Sequence, residues 1–166
     1  LHLMIQIGVV GGGDVDDETQ ALAGEVGREI ARSGNILLCG GLSGVMEASA
    51  KGAKEEGGLT VAILPGTSKE EASPYMDVKI VTAMSHARNA IIARSADALI
   101  AVDGELGTLS EIALALKIDK PVIVLENMGE ISRAAKMIKK NNLHFAKDAR
   151  EAVALALARA NSSTPT

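Results

Sequence analysis

Ala98-Leu-Ile-Ala-Val-Asp-Gly-Glu-Leu-Gly-Thr-Leu-Ser-Glu111 passes from an apolar run into glycine, then into an amphipathic stretch that continues to Lys117. Consecutive apolar residues of this length read as a buried strand, and the pattern after Gly104 reads as a helix that begins near Thr108. A strand that breaks on glycine and restarts as a helix leaves free backbone N–H groups at the helix N-terminus. Such a terminus attracts anions, phosphate above all. The Thr108 hydroxyl and, one turn in, the Glu111 carboxylate stand at the same end. The segment points to a phosphate-bearing small molecule held against a carboxylate.

The same alternation runs through the chain. Residues 4–10, 36–39, 60–64, 78–81, 98–102 and 122–125 read as short strands, apolar on consecutive positions. Helical periodicity covers 17–33, 45–56, 86–94, the stretch from about 108, 131–140 and 149–160, with Ser43 a candidate cap for the second of these. Residues 67–77, which contain Pro74, read as a surface loop. Strands buried on both faces and separated by helices imply an α/β fold: a doubly wound, mostly parallel, Rossmann-like sheet with helices on both faces. We expect one phosphate- or nucleotide-binding domain over 1–160 and a flexible tail over 161–166. Ligands of such sheets sit at the strand carboxyl ends, where strand order reverses. The glycine clusters 11–13, 40–44 and 104–107 all fall at such ends.

Composition narrows the function. Of 166 residues 47% are apolar, but Tyr75 and Phe145 are the only members of the Phe, Trp and Tyr set. A chain so poor in rings offers few platforms for exposed bases, and its formal charge of −4 lacks the basic bias of a nucleic-acid binder. Lys136, Lys139 and Lys140 cluster, but at the spacing of a solvated helix face. The lone Cys39 excludes an internal disulfide and suits a reducing cytoplasm. No apolar run reaches the roughly 18 residues of a membrane span. These features describe a cytoplasmic protein with neither nucleic acid nor membrane as its partner.

The glycine loops do not fit the common nucleotide motifs. Gly11-Gly-Gly13 lacks the third glycine of G-x-G-x-x-G, since Asp16 stands there, and the second strand ends in Cys-Gly-Gly where a ribose-binding acid is needed. No Gly-Lys-Ser/Thr tripeptide of a Walker loop occurs. Asp14, Asp16, Asp17 and Glu18 read as capping and dipole-compensating residues of the first helix, or more weakly as metal ligands. No partnering cluster is evident, so no metal or other cofactor is expected. These acids would repel phosphate, which favours the loops at 40–44 and 104–108 as the anion cradle, through Gly40, Gly41, Gly44, Gly104, Gly107 and Thr108.

Three segments converge on the proposed pocket: Gly40-Gly-Leu-Ser-Gly44-Val-Met46, Met84-Ser-His-Ala-Arg88-Asn89, and Gly104 to Glu111. Arg88 could clamp phosphate or ribose oxygens, assist departure of a base, or instead form a surface or interface salt bridge. Glu111 could stabilise positive charge on a sugar or activate water, or instead complete a capping box with Thr108 at the correct spacing. His86 reads as a packing or exposed group or as an acid. Met46 and Met84 read as pocket wall or core.

Together the segments, over about residues 4–126, resemble the LONELY GUY family of phosphoribohydrolases and its lysine decarboxylase-like relatives. That pattern is Gly-Gly-x-x-G-x-Met, then Met-His-x-Arg-Lys, then Pro-Gly-Gly-x-Gly-Thr-x-x-Glu. The resemblance implies cleavage of the N-glycosidic bond of a nucleoside 5′-monophosphate, with Arg88 and Glu111 as the catalytic pair, and assembly as a homodimer or larger homo-oligomer. The chain departs from the pattern at Asp103 and Glu105, which replace Pro and the second Gly, and at Ser110. It departs again at Ser85, with Met84 one position early, and at Asn89, which replaces Lys. These changes, with Val45-Met-Glu-Ala-Ser-Ala-Lys-Gly-Ala and the Gly-Gly-x-Thr-Val after it, are similar to a divergent branch that includes the molybdenum-cofactor carrier proteins. The implied function is a carrier-like binder of a nucleoside monophosphate or phosphorylated pterin, with phosphoribohydrolase activity secondary. The alternative is a phosphoribohydrolase outright.

Overall fold

The computed structural model describes residues 3–127 and 129–162. Its strands are β1 (Gln6–Val10), β2 (Ile36–Cys39), β3 (Leu59–Leu64), β4 (Val78–Val81), β5 (Ala98–Ala101), β6 (Val122–Leu125) and β7 (Leu143–Ala146). They form one sheet in the order β4-β3-β2-β1-β5-β6-β7, and every neighbouring pair is parallel. The chain winds outward from β1 to β4, then returns to place β5 on the other side of β1. Strand order therefore reverses between β1 and β5.

The helices are α1 (Asp17–Arg32), α2 (Val45–Glu55), α3 (Asn89–Ser95), α4 (Leu106–Lys117), α5 (Glu130–Ala135) and α6 (Ala149–Ser162). Alternation along the strands sets the two layers. Ile7, Val9, Leu37 and Ile100 pack with Val26 and Ile30 of α1, Ala50 of α2 and Ala152 and Ala156 of α6. Val10, Leu38, Leu99 and Ala101 pack with Ile92 of α3, Ile112 and Leu116 of α4 and Ile131 of α5. With almost no rings available, aliphatic side chains supply most of both layers, with Cys39 and Met76 buried in the first. No helix among the described residues is long and apolar enough to cross a membrane.

Two segments differ from the sequence reading. The helix expected over 131–140 stops at Ala135, where the amides of Met137 and Ile138 turn back to carbonyls only three residues behind. That tightening brings the chain back to the sheet edge for β7, a strand the sequence reading misses. Four residues with His144 among them give too little periodicity to detect, and pairing with β6 defines the strand. Lys139 and Lys140 consequently lie beyond the helix, although they are exposed. At the C-terminus α6 runs through Ser162, so the expected tail begins inside a helix, and 163–166 lie outside the described residues. Ser43 caps nothing: Gly44 is the N-cap of α2, and the Ser43 hydroxyl donates to the Gly13 carbonyl at 2.8 Å.

α1 and α2 cross with their backbones nearly touching. A Cβ on Gly27 would fall on the Ser49 carbonyl oxygen, and one on Gly52 would fall on the Gly24 carbonyl. At Gly24 itself a Cβ would sit 3.6 Å from its nearest neighbour, the Ala48 carbonyl, in ordinary contact. Two alanine substitutions three residues apart on one helix should then diverge. Gly27→Ala forces the helices apart and loses about 1–3 kcal/mol, whereas Gly24→Ala gains up to about 1 kcal/mol from helix propensity. Denaturant midpoints of the two variants check this.

Candidate functional site

Where β1 and β5 part, their outgoing loops build a cavity of about 410 Å³. Gly11, Gly12 and Gly13 form one side, Gly107, Thr108 and Glu111 of α4 another, and Met46, His86, Arg88 and Asn89 a third. Backbone bonds hold the loops together. The Gly12 amide donates to the Asp103 carbonyl at 2.9 Å, and the Val45 amide donates to the Gly12 carbonyl at 3.0 Å.

The start of α4 supplies unpaired donors. Glu105 is the N-cap in an extended conformation, and its side chain makes no capping bond. The first backbone bond of the helix runs from the Leu109 amide to the Glu105 carbonyl at 3.0 Å. The amides of Leu106, Gly107 and Thr108 have no acceptor among the described residues, as the first turn of a helix requires. Thr108 is 3% exposed, and its side chain closes directly over Gly104, where a Cβ would collide with it. Any other residue at 104 would push Thr108 off the loop.

Glu111 is the sixth residue of α4, further in than the one turn expected, and is 9% exposed. The capping box with Thr108 is not formed, because the cap lies three residues earlier at Glu105. Glu111 makes no hydrogen bond or ion pair among the described residues. Burial pushes its pKa from 4.5 up to about 7, and the charge of Arg88 only partly opposes that rise. Desolvation wins over attraction.

Arg88 is carried by a segment whose backbone is held in an uncommon form. Ala83 and Ser85 adopt positive φ values of 53° and 51°, in a region that residues with a Cβ seldom occupy. Bonds from their amides to the Gly66 and Pro65 carbonyls, each 2.9 Å, fix them there. The segment then enters a 3₁₀ turn, Ser85–Arg88, and α3. Arg88 Nη1 donates to the carbonyls of Gly40 at 2.8 Å and Ile63 at 2.6 Å, at the carboxyl ends of β2 and β3. Its Nε is buried with no partner, and burial lowers its pKa despite the opposing field of Glu111. Asn89 links this segment to α4: its amide donates to Ser110 Oγ at 3.1 Å, and Ser110 Oγ donates to the Gly107 carbonyl at 2.6 Å.

Of the residues singled out from sequence, the fold gathers Arg88, Gly107, Thr108 and Glu111 around the cavity, with Gly104 beneath Thr108. Gly40, Gly41 and Gly44 do not line it. They follow β2, one strand away from the reversal, where Gly40 supports Arg88 from behind and Gly44 caps α2. In their place stands the Gly11–Gly13 loop, set aside on charge grounds because of Asp14, Asp16, Asp17 and Glu18. Asp16 is indeed the α1 N-cap and accepts from the Thr19 amide at 2.8 Å. Asn89 was noted only as a lost lysine. Met84, 47% exposed, is neither core nor cavity wall. No group of three or more His, Cys, Asp or Glu among the described residues could hold a metal ion. The Cys39 thiol lies buried near Arg88, and burial pushes its pKa up to about 12, so it stays protonated.

A family model described as SLOG cluster4 matches residues 4–154. This chain belongs to the SLOG cluster4 family. An uncharacterized protein of Archaeoglobus fulgidus is 53% identical over 131 residues, 75% of this chain and 86% of that protein. A cytokinin riboside 5′-monophosphate phosphoribohydrolase of Mycobacterium tuberculosis is 35% identical over 68% of this chain, which spans 65% of that enzyme. Among solved structures, the molybdenum cofactor binding protein of Rippkaea orientalis superposes with a TM-score of 0.87 at 38% identity, covering 94% of this chain and 97% of its own. The molybdenum cofactor carrier protein of Chlamydomonas reinhardtii gives 0.84 at 41% identity, over 96% and 99%. The chain is thus LONELY GUY-like and lies close to the molybdenum-cofactor carriers.

The raised pKa of Glu111 makes stability depend on pH. Between about pH 4.5 and 7 the folded chain holds the Glu111 proton more tightly than the unfolded chain does, so stability falls as pH rises and levels off above that window. The full effect is on the order of 3 kcal/mol. Glu111→Gln should remove this component, leaving the variant more stable than wild type at pH 8 and about equal near pH 4.5. Paired denaturation curves at the two pH values measure the difference.

Proposed function

We propose that the crevice between β1 and β5 binds a phosphorylated small molecule, a nucleoside monophosphate or a phosphorylated pterin cofactor, as a carrier-like protein. The carrying observation is the row of unpaired amides at the start of α4, Leu106, Gly107 and Thr108, of which Gly107 and Thr108 line a cavity of ligand size. Arg88 adds positive charge from a fixed position, because Nη1 is held by two backbone carbonyls. A guanidinium so tethered suits holding a ligand better than following a departing group. The likeness to the molybdenum cofactor proteins of Rippkaea orientalis and Chlamydomonas reinhardtii supports this reading.

Inorganic phosphate or a nucleoside monophosphate should stabilise the fold by about 2.7 kcal/mol at a hundredfold excess over Kd, seen as a raised unfolding midpoint. The ligand should be recovered intact after prolonged incubation. Absence of stabilisation by every phosphorylated compound tried overturns the reading.

A second reading, nucleotide phosphoribohydrolase, is favoured by one specific observation: a buried, unpaired carboxyl with a pKa of about 7 across the cavity from Arg88. In that reaction the ribose anomeric carbon gains positive charge as the base departs with the glycosidic electron pair. Ionised Glu111 stabilises that charge and takes the proton of the attacking water, while Arg88 orients sugar or phosphate oxygens. The relative from Mycobacterium tuberculosis bears this activity in its name. Base release should rise as pH passes about 7, the ionised form being the active one, and should drop by at least about a hundredfold in Glu111→Gln. Chromatography of a nucleoside monophosphate incubated across pH 5–9 decides between holding and hydrolysis.

Copies of the chain should associate through the face carrying α3 and α4, where Leu106 is 82% exposed and Leu114 36%. Sedimentation at micromolar concentration should return the mass of at least two chains.

A further inference from the structure

Two positions at which the chain departs from the resembled pattern, Asn89 and Ser110, are bonded to each other beside the cavity. Asn89 opens α3 directly after Arg88, is 6% exposed and lines the cavity. Ser110 is the fifth residue of α4. The Asn89 amide donates to Ser110 Oγ at 3.1 Å, and Ser110 Oγ donates to the Gly107 carbonyl at 2.6 Å. The directions are forced. A carbonyl only accepts, so the single Ser110 proton goes to Gly107 and Ser110 Oγ turns its lone pairs toward residue 89. A donor is needed there, and Asn89 supplies one without the charge of the Lys in the resembled pattern.

The Gly107 carbonyl and the Thr108 amide are two ends of one planar peptide group, so fixing the oxygen fixes where the N–H points. Each bond also polarises the next. Ser110 donates more strongly because it accepts from Asn89, and the Thr108 N–H donates more strongly because its carbonyl accepts from Ser110. That amide has no acceptor among the described residues, and Thr108 lines the cavity. A serine bonded back to its own helix is ordinary. Here a buried carboxamide from another helix orders it.

We propose that Asn89 and Ser110 are positioning residues, a relay of donors that aims and strengthens the Thr108 amide toward the anionic group of the ligand. Neither side chain touches the ligand in this role. The relay serves the phosphate site proposed above and stands on that reading. It also ties the segment carrying Arg88 to the start of α4, which keeps guanidinium and amides in one register.

Calorimetric titration with inorganic phosphate, run beside denaturant unfolding of each variant, tests the relay. Ser110→Ala should weaken phosphate binding about fivefold or more, whereas Ser110→Thr, which keeps the hydroxyl, should bind like wild type. Asn89→Ala should weaken binding by a smaller factor, because the Ser110 bond to Gly107 survives. The double variant should bind no worse than Ser110→Ala alone, the relay being already cut. Wild-type affinity in Ser110→Ala, whatever its unfolding midpoint, overturns the proposal and leaves a bond that serves the fold alone. A further loss in the double variant also overturns it, since Asn89 then acts on the ligand directly. Ser110 is an exposed position, so its two variants decide the matter even if Asn89→Ala fails to fold. If the wild type binds no phosphate, the phosphate site itself is wrong and the relay falls with it.

Discussion

The amide of Gly12 donates to the carbonyl of Asp103, and the carbonyl of Gly12 accepts from Val45. Through this one residue the exits of β1 and β5 and the start of α2 are held at one point, where strand order reverses. A parallel sheet leaves an opening there, because adjacent connections run to opposite faces. The tie fixes how wide the opening is. Gly104 must pass under Thr108 to reach α4, and Gly107 and Thr108 therefore line the same cavity as the Gly11–Gly13 loop.

The electrostatics follow from that enclosure. Arg88 and Glu111 have opposite charge and share one cavity, yet burial moves each pKa toward its neutral form. Mutual attraction relieves only part of the desolvation, because no ion pair closes between them among the described residues. The cavity is thus under-neutralised in two ways: a guanidinium with a buried unpaired Nε and a carboxyl that prefers its proton near neutrality. An anionic guest beside Arg88 offsets the first and holds the proton on Glu111 more firmly. In the sense of this electrostatic balance, ligand and protonation state are linked.

The opening carries side chains of both charges. Arg88 and His86 line the cavity together with the carboxylates of Asp14, Glu105 and Glu111. The acids that argued against phosphate at the first glycine loop do not disqualify that loop. Asp16 caps α1, Asp17 and Glu18 lie in its first turn, and the glycines themselves line the cavity.

Much of this was legible in the chain. Consecutive apolar residues broken by glycine and followed by helical periodicity dictate a parallel sheet covered on both faces, because such strands have no polar side to show water. Thr108, Gly107 and Glu111 could be named for one local reason, each lying where a helix opens after a strand, whereas Arg88 was named through the resemblance of its segment. Three things were decided only by tertiary structure. β7 exists because β6 offers it an edge, a partner that Leu143–Ala146 do not encode locally. The Gly40–Gly44 loop lost its place to Gly11–Gly13 because strand order, which sequence spacing does not carry, puts β5 beside β1 and leaves β2 outside the crevice. The burial that brings Glu111 near neutral pKa arises from segments far apart in sequence, and desolvation depends on all of them at once.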